Sequence, residues 1–376
     1  MRENVDVLRA IEEARREGKK GALATVIRVR GSAYRREGAK MYVEESGRFT
    51  GLISGGCLER DVAETARTVI EQGQPVIKRY ELDEDLVWGL GLGCPGTVEI
   101  LIEPVSNETH PAFALWTEDV LRGRAGALCT VMNQDSDALS LERRLWIPET
   151  GSAAGSLGDV GLNRMAAEWT RTLLRKQHPR PVRQSFTLAD GTTADVFIDI
   201  AVPEPTVMIF GAGHDAMPVA RLSQSLGYST VVIDPRESYN TEERFPGAAR
   251  LLVTPAGYAE KVAVTHRSYL IIMNHHLERD KEALRFAISS KAPYIGLLGP
   301  LSRRNRLLEL LVNEGCVFAK SQMDRLFSPI GLDIGADSAD EIAVSILAEI
   351  VALRSGHGGG PLRNKDRIHL AAVRSG

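Results

Sequence analysis

The chain has 376 residues, which is long for one ordinary domain and predicts two or three. Its 46 basic and 49 acidic residues nearly balance, which excludes the basic surface typical of nucleic-acid-binding proteins. Four cysteines without metal-finger spacing exclude a secreted disulfide scaffold, and the charged residues 1–20 do not resemble a signal peptide. No apolar run is long enough to span a membrane, so we expect a cytoplasmic protein without a nucleic-acid partner.

The first third of the chain predicts one α+β unit. Its predicted elements are a helix at 5–18, strands at 21–29 and 40–43, a helix at 58–72, and strands at 76–82 and 97–104. Two glycine-rich loops interrupt it. Residues 53–57 (Ile-Ser-Gly-Gly-Cys) precede the second helix, and residues 89–96 (Gly-Leu-Gly-Leu-Gly-Cys-Pro-Gly) precede the last strand.

The same pattern returns in the second third of the chain. The matching segments are 21–26 with 126–131, 41–51 with 145–155, 58–72 with 162–176, and 98–102 with 196–200. Residues of about 20–105 and 125–203 are therefore predicted to be two copies of one unit that face each other and share a core.

The copies differ at both cysteine loops. In the second copy, 158–161 (Gly-Asp-Val-Gly) replaces Ser54–Cys57, and the loop at 89–96 has no counterpart. Strands and helix persist without these loops, which indicates that the loops serve function rather than folding.

The loops present two thiols with little bulk around them. Cys57 is placed at a helix N-terminus, where backbone N–H groups favour a thiolate. Cys94 lies among glycines whose N–H groups suit an anion. The candidate residues are Ser54, Gly55, Gly56, Cys57, Gly91, Gly93 and Cys94, with Arg35 and Lys40 adding positive charge. The alternative is that these cysteines are small apolar residues, as we expect for Cys129 and Cys316.

Residues 206–354 predict a Rossmann-like domain, after a linker at 203–205 (Pro-Glu-Pro). A G-x-G-x-x-A segment at 211–216 joins an apolar strand to a helix, and Asp234 closes the next strand 23 positions after Gly211. This arrangement suits a dinucleotide, with NAD favoured by Asp234 and NADP by Arg236. The alternative is the same fold without a nucleotide.

The candidate binding residues of this domain are Gly211, Gly213, His214, Asp234, Arg236 and His275. His275 and His276 follow a buried strand, but adjacent side chains point to opposite faces, which argues against a shared metal. Residues 355–376 are predicted to form a flexible tail. The expected fold class is α/β: a duplicated α+β domain over residues 1–203 with two Gly-Cys loops, followed by a doubly wound parallel sheet.

Several motifs resemble the xanthine dehydrogenase accessory factor (XdhC/CoxI) family. They are 38–41 (Gly-Ala-Lys-Met), 53–59 (Ile-Ser-Gly-Gly-Cys-Leu-Glu), 89–94 (Gly-Leu-Gly-Leu-Gly-Cys), 210–214 (Phe-Gly-Ala-Gly-His) and 329–335 (Pro-Ile-Gly-Leu-Asp-Ile-Gly). The resemblance implies a homodimeric chaperone that binds molybdenum cofactor (molybdopterin), supports its sulfuration and delivers it to a xanthine dehydrogenase-type molybdoenzyme.

Within this resemblance, Cys57 and Cys94 become the residues that contact molybdenum or handle sulfur, with a cysteine desulfurase as a further partner. A soft thiolate suits a soft metal or a persulfide. Two alternatives stay open: a nicotinamide-dependent oxidoreductase that uses the Rossmann domain, and a scaffold that senses a nucleotide. A carrier of cofactor is expected rather than an enzyme with its own turnover.

Overall fold

A computed structural model describes residues 2–31, 33–82, 96–106, 110–132, 141–176 and 179–363. The chain divides into two compact units, Met1–Pro203 (unit 1) and Glu204–Gly376 (unit 2). Most of the predicted loop at 89–96, including Gly91, Gly93 and Cys94, lies outside the described residues, as does most of the predicted tail.

Unit 1 contains two five-stranded antiparallel sheets in its described part. In chain order its elements are α1 (Arg2–Arg16), β1 (Gly21–Gly31), β2 (Lys40–Glu44), β3 (Phe49–Gly51), α2 (Glu59–Gln72), β4 (Val76–Leu82), β5 (Gly96–Val105), α3 (Pro111–Leu121), β6 (Gly126–Val131), β7 (Arg144–Pro148), β8 (Ala154–Ser156), α4 (Val160–Leu174), β9 (Val182–Thr187) and β10 (Thr193–Ala201).

The two sheets have the same topology. The strand orders are β3-β2-β1-β5-β4 and β8-β7-β6-β10-β9. The helix between the third and fourth strands is α2 in copy one and α4 in copy two. The duplicated α+β fold is thus confirmed. Each copy also begins with a helix, α1 or α3, and α3 was absent from the prediction.

Strand pairing corrects the repeat alignment at the last strand of each copy. Leu23 of β1 pairs with Glu103, and its counterpart Leu128 of β6 pairs with Asp199. Glu103 and Asp199 are therefore equivalent, so the predicted match of 98–102 with 196–200 was shifted by two residues. A shift by two preserves which side of the sheet each residue faces, which is why the apolar pattern did not reveal it.

Both faces of each sheet are buried, because alternate residues of the central strands serve different cores. In β1, Ala22 and Ala24 belong to the cluster that contains Val62 of α2. Leu23 belongs to a second cluster that also contains Leu128 of β6. The second cluster includes apolar residues of α1 and α3, so the copies share a core through these two helices.

Two buried ion pairs join the copies at equivalent positions. Lys40 at the start of β2 pairs with Asp199 of β10, and Arg144 at the start of β7 pairs with Glu103 of β5 at 2.7 Å. The Lys40 side chain is 1% exposed, and its ammonium group lies 5.3 Å from the ring centroid of Trp116. Lys40 was predicted to add charge to the cysteine site; the structure contradicts this, because its charge is enclosed and neutralised.

Unit 2 contains a six-stranded parallel sheet. Its elements are β11 (Thr206–Phe210), α5 (Ala216–Ser225), β12 (Ser229–Ile233), β13 (Ala249–Leu251), α6 (Tyr258–Lys261), β14 (Ser268–Ile272), α7 (Leu277–Ser289), β15 (Tyr294–Leu297), α8 (Leu301–Asn313), α9 (Lys320–Met323), β16 (Leu326–Phe327) and α10 (Ala339–Ser355). The strand order is β13-β12-β11-β14-β15-β16, which is the order of dinucleotide-binding folds.

Helices cover both faces of this sheet. One core packs residues of α5 and α10 against the strands, and the other packs residues of α7 and α8 against the opposite face. The doubly wound fold is confirmed. The direction of winding reverses between β11 and β14, where such folds place their ligands. None of the described helices is long and apolar enough to cross a membrane.

Candidate functional site

The Cys57 loop joins β3 to α2. Ile53 and Leu58 are buried at its two ends, and Gly55, Gly56 and Cys57 are exposed between them. Gly56 has φ of 107°, a conformation that favours glycine, and a Cβ added there would meet no other atom within 4 Å. The loop therefore presents the Cys57 thiol to solvent with open space beside it.

Ser54 and Glu59 hold this loop in shape. The Ser54 hydroxyl accepts hydrogen bonds from the N–H groups of Gly56, Cys57 and Leu58 at 3.1–3.2 Å. It donates to Glu59 Oε2 at 2.5 Å, and Glu59 Oε1 accepts from the Ser54 N–H at 2.7 Å. The N–H groups that were predicted to face the thiolate are thus directed at Ser54 in this structure.

Glu59 is a buried carboxylate that stays charged. Burial acts to raise its pKa, but hydrogen bonds from the Ser54 hydroxyl and from the N–H groups of Ser54 and Ile53 outweigh burial and lower the pKa below its usual value. The ionised Glu59 therefore anchors the loop at neutral pH.

Copy two has an ordinary helix start where copy one has this loop. Asn163 stands at the position of Glu59 and accepts the Leu157 N–H at 2.7 Å. Asp159 caps α4 by accepting the Leu162 N–H at 2.7 Å, and α4 begins at Val160, the counterpart of Gly56. Because α2 begins only at Glu59, copy one leaves three residues, including Cys57, outside the helix.

Tyr34 lies beside the loop and was missed by the sequence analysis. A Cβ added at Gly55 would lie 3.5 Å from Cγ of Tyr34, and the Tyr34 side chain is 73% exposed. A large exposed aromatic residue in a glycine-containing loop was the available signal. Arg35 follows it, but its guanidinium pairs with Glu3 of α1 at 2.9 Å, so its charge is already partly neutralised.

The thiol of Cys129 differs from that of Cys57. Cys129 is buried in β6, and burial raises the pKa of its thiol to about 12. No cluster of three or more histidine, cysteine or acidic residues with the geometry of a metal site occurs among the described residues. In the part of the chain that is described, Cys57 is thus the exposed thiol of unit 1.

In unit 2, the predicted binding residues meet at the carboxyl edge of the sheet. Gly211 approaches the end of β14 so closely that a Cβ there would lie 2.8 Å from Asn274 Cα. No group in the described part of the chain accepts the N–H groups of Gly213, His214 and Asp215. These three donors precede α5 and form a position suited to a phosphate group.

Asp234 occupies a different role from the predicted one. Its carboxylate is 0% exposed and accepts from the Ala212 N–H at 2.8 Å and from Arg236 through Nε at 2.9 Å and Nη2 at 2.6 Å. Burial acts to raise its pKa, and the bonds from Arg236 and Ala212 lower it below the usual value. Asp234 therefore binds the glycine loop and Arg236 and is not open to ribose hydroxyls.

His275 has a strained backbone and a carboxylate partner. Its φ is 55°, the only positive φ of a residue other than glycine in the described chain. Its Nε2 lies 2.5 Å from Asp215 Oδ2, and the imidazole is 59% exposed. His276 instead caps α7 by accepting the Arg279 N–H at 3.4 Å. His275 thus meets the glycine loop, whereas His214 is exposed beside it.

Comparison with known proteins matches both units. The model of the XdhC and CoxI family matches residues 14–81, and the model of the XdhC Rossmann domain matches residues 207–350. A Bacillus subtilis (strain 168) protein named as a probable xanthine dehydrogenase component is 32% identical over 335 residues, which cover 88% of this chain and 92% of that protein. The chain belongs to the XdhC and CoxI family. The resemblance seen in the motifs is confirmed.

Two further relatives extend the comparison. The molybdenum cofactor insertion chaperone PaoD of Escherichia coli (strain K12) is 24% identical over 93% of this chain and 88% of its own length. A crystal structure described as a xanthine dehydrogenase from Bacillus halodurans matches with a TM-score of 0.72 at 29% identity, covering 96% of this chain and 98% of that one. Members of the XdhC and CoxI family thus share the full two-unit length.

Proposed function

We propose that this XdhC-family chain is an accessory protein that carries molybdenum cofactor to a xanthine dehydrogenase-type molybdoenzyme. The observation that supports the proposal best is the difference between the two copies of unit 1. Copy two continues its helix through the position of Cys57, whereas copy one interrupts the helix and exposes the thiol.

The Cys57 loop has the chemistry that this cargo needs. The cofactor offers a soft metal, a flat polar pterin and a phosphate. An exposed thiol suits the metal or an incoming sulfur held as a persulfide. Tyr34, beside Gly55, offers a ring against which a pterin can stack. The proposal includes Cys94 as a second thiol, with Gly91 and Gly93 around it, a cysteine desulfurase as sulfur donor, a homodimer and a cytoplasmic location.

Nucleotide binding in unit 2 is the second part of the proposal. It is supported by the three N–H groups of Gly213, His214 and Asp215 without acceptors in the described chain, and by the strand order. A nicotinamide-dependent oxidoreductase is the alternative function that one observation favours, because His275 with Asp215 could move a proton. Turnover of NADH or NADPH with an aldehyde, lost in His275→Ala, would establish that alternative.

Activation of a partner enzyme tests the carrier function. Apo-hydroxylase is incubated with molybdenum cofactor and either the wild-type chain or its Cys57→Ala variant, and hydroxylase activity is measured over time. We expect the variant to lose most of the activation. Cys316→Ala, which changes a partly buried cysteine of unit 2, is the control and should activate like wild type. Equal activation by wild type and Cys57→Ala would contradict the role of Cys57.

A further inference from the structure

We infer that unit 2 binds a phosphate monoester at the end of β12, through Arg236 together with Arg244 and Arg279. Dinucleotide-binding domains commonly use this position to hold ribose hydroxyls with a carboxylate. Here the carboxylate is present but already bound, and guanidinium groups face the position instead.

The first step concerns the acceptor capacity of Asp234. One carboxylate oxygen accepts from the Arg236 N–H and Nε, each at 2.9 Å, and the other accepts from the Ala212 N–H and Arg236 Nη2. A carboxylate offers about four acceptor positions, and all are used. Ribose hydroxyls would have to displace a charge-assisted pair that is shielded from water, so a ligand with free ribose hydroxyls gains little here.

The second step concerns the donor capacity that remains on Arg236. A guanidinium carries five N–H groups, and Asp234 takes those of Nε and one of Nη2. The Arg236 side chain is 33% exposed, so its remaining donors are accessible. The guanidinium lies 4.1 Å from the ring centroid of Tyr239, which fixes its plane. Arg236 is therefore a preoriented donor for a second anion.

The third step concerns charge. Arg244 also lies over Tyr239, at 5.3 Å, and donates to two backbone carbonyls, those of Tyr239 and Ala212. Arg279 lies 4.0 Å from Asp234 Oδ1 and is 28% exposed. Three guanidinium groups thus surround one carboxylate, an excess of two positive charges. A phosphate monoester carries about −1.5 to −2 at pH 7, which matches this excess.

The position also adjoins the free N–H groups of the glycine loop. Ala212, bound to Asp234, is the neighbour of Gly213, the first of the three donors without an acceptor in the described chain. A ligand with two phosphate positions can use both. Two sources have this chemistry: a dinucleotide with a ribose 2′-phosphate, such as NADP, and the pyranopterin with its own phosphate. The second source rests on the proposed carrier function.

The test is a calorimetric titration of the full chain with NADP, with NAD and with molybdenum cofactor. Wild type is compared with Arg236→Gln, with Arg236→Lys, and with Arg306→Gln as control, since Arg306 lies exposed on α8 beside Glu309. If a ribose phosphate is bound, NADP binds about 10- to 100-fold tighter than NAD, as expected for hydrogen bonds to a charged group. Arg236→Gln abolishes that preference, Arg236→Lys retains part of it, and Arg306→Gln retains all of it.

Each outcome has one meaning. A dependence on Arg236 for molybdenum cofactor and not for NADP supports the inference with the pterin phosphate as ligand. NAD binding as tightly as NADP, with cofactor binding independent of Arg236, overturns the inference and leaves the carrier function standing. No binding of any of the three ligands by wild type overturns both. Melting temperatures of the variants check folding, and competition by adenosine 2′,5′-bisphosphate against NADP in wild type needs no variant.

Discussion

Lys40 and Arg144 stabilise unit 1 from equivalent positions in its two copies. Each is buried, each begins the second strand of its copy, and each pairs with a carboxylate on the last strand of the other copy, Asp199 or Glu103. Each cation also lies over an aromatic ring of α3, that of Trp116 for Lys40 and that of Phe113 for Arg144. The reciprocal pairs fix how the two copies face each other, because a charge left unpaired there would be costly.

Removal of one partner from a buried pair is predicted to be far more harmful than removal of both. Lys40→Met leaves Asp199 charged and unpaired, and should lower the free energy of unfolding by about 3–5 kcal/mol. The double variant Lys40→Met/Asp199→Leu should recover most of that loss. Urea denaturation measures both. Lys19→Met removes an exposed pair with Glu17 and should change stability by about 1 kcal/mol or less. Additive losses in the double variant would contradict this account.

At the scale of the element, the two copies begin with helices that are attached in the same way. His110, before α3, accepts the Ala112 N–H through Nδ1 at 3.1 Å, and its Nε2 lies 3.0 Å from the carbonyl of Glu142. In copy one, Asn4 donates to the carbonyl of Gly38 at 2.8 Å. His110 must therefore be neutral, with its proton on Nε2. Burial, and next the charge of Arg144, lower the pKa of His110 below its usual value.

This neutral histidine predicts a pH dependence of stability. Because the folded pKa lies below the unfolded value of about 6.5, the contribution of His110 is complete above that pH and is lost as the pH falls below it. His110→Asn keeps an acceptor for Ala112 and a donor for Glu142 and does not titrate. Urea unfolding of wild type should weaken more than that of His110→Asn between about pH 7.5 and pH 5.5. His214→Asn, at an exposed position, should follow wild type; identical profiles for all three proteins would refute the prediction.

The start of α2 can be exchanged for the start of α4. Replacing residues 54–59 with the sequence of 158–163 (Gly-Asp-Val-Gly-Leu-Asn) supplies an aspartate cap and removes Cys57. The chimera should fold, with α2 beginning about three residues earlier and stability equal or raised by about 1 kcal/mol. Circular dichroism and thermal unfolding measure this. Failure to fold would mean that the Cys57 loop is needed by the scaffold, contrary to the argument that it serves function.

At the scale of the whole molecule, the sequence predicted the architecture better than the contacts. The repeat and the glycine motif identified both sheets and the doubly wound order, because periodicity specifies which face of an element is buried. Periodicity does not specify partners across a core. Lys40 and Asp234 were therefore predicted to be binding residues, whereas their partners Asp199 and Arg236 close around them. Tyr34 was missed for the same reason, since its proximity to Gly55 depends on how two loops fold together.

Retention of molybdenum cofactor by the Cys57 loop is the measurement that tests the central claim most directly. The purified chain is incubated with molybdenum cofactor, passed through gel filtration, and assayed for bound molybdenum and pterin. Wild type and Cys316→Ala should retain roughly equal amounts, and Cys57→Ala and the chimera should retain little. Retention by Cys57→Ala equal to that of wild type would contradict the claim that this thiol holds the cofactor, and no retention by wild type would contradict the carrier function itself.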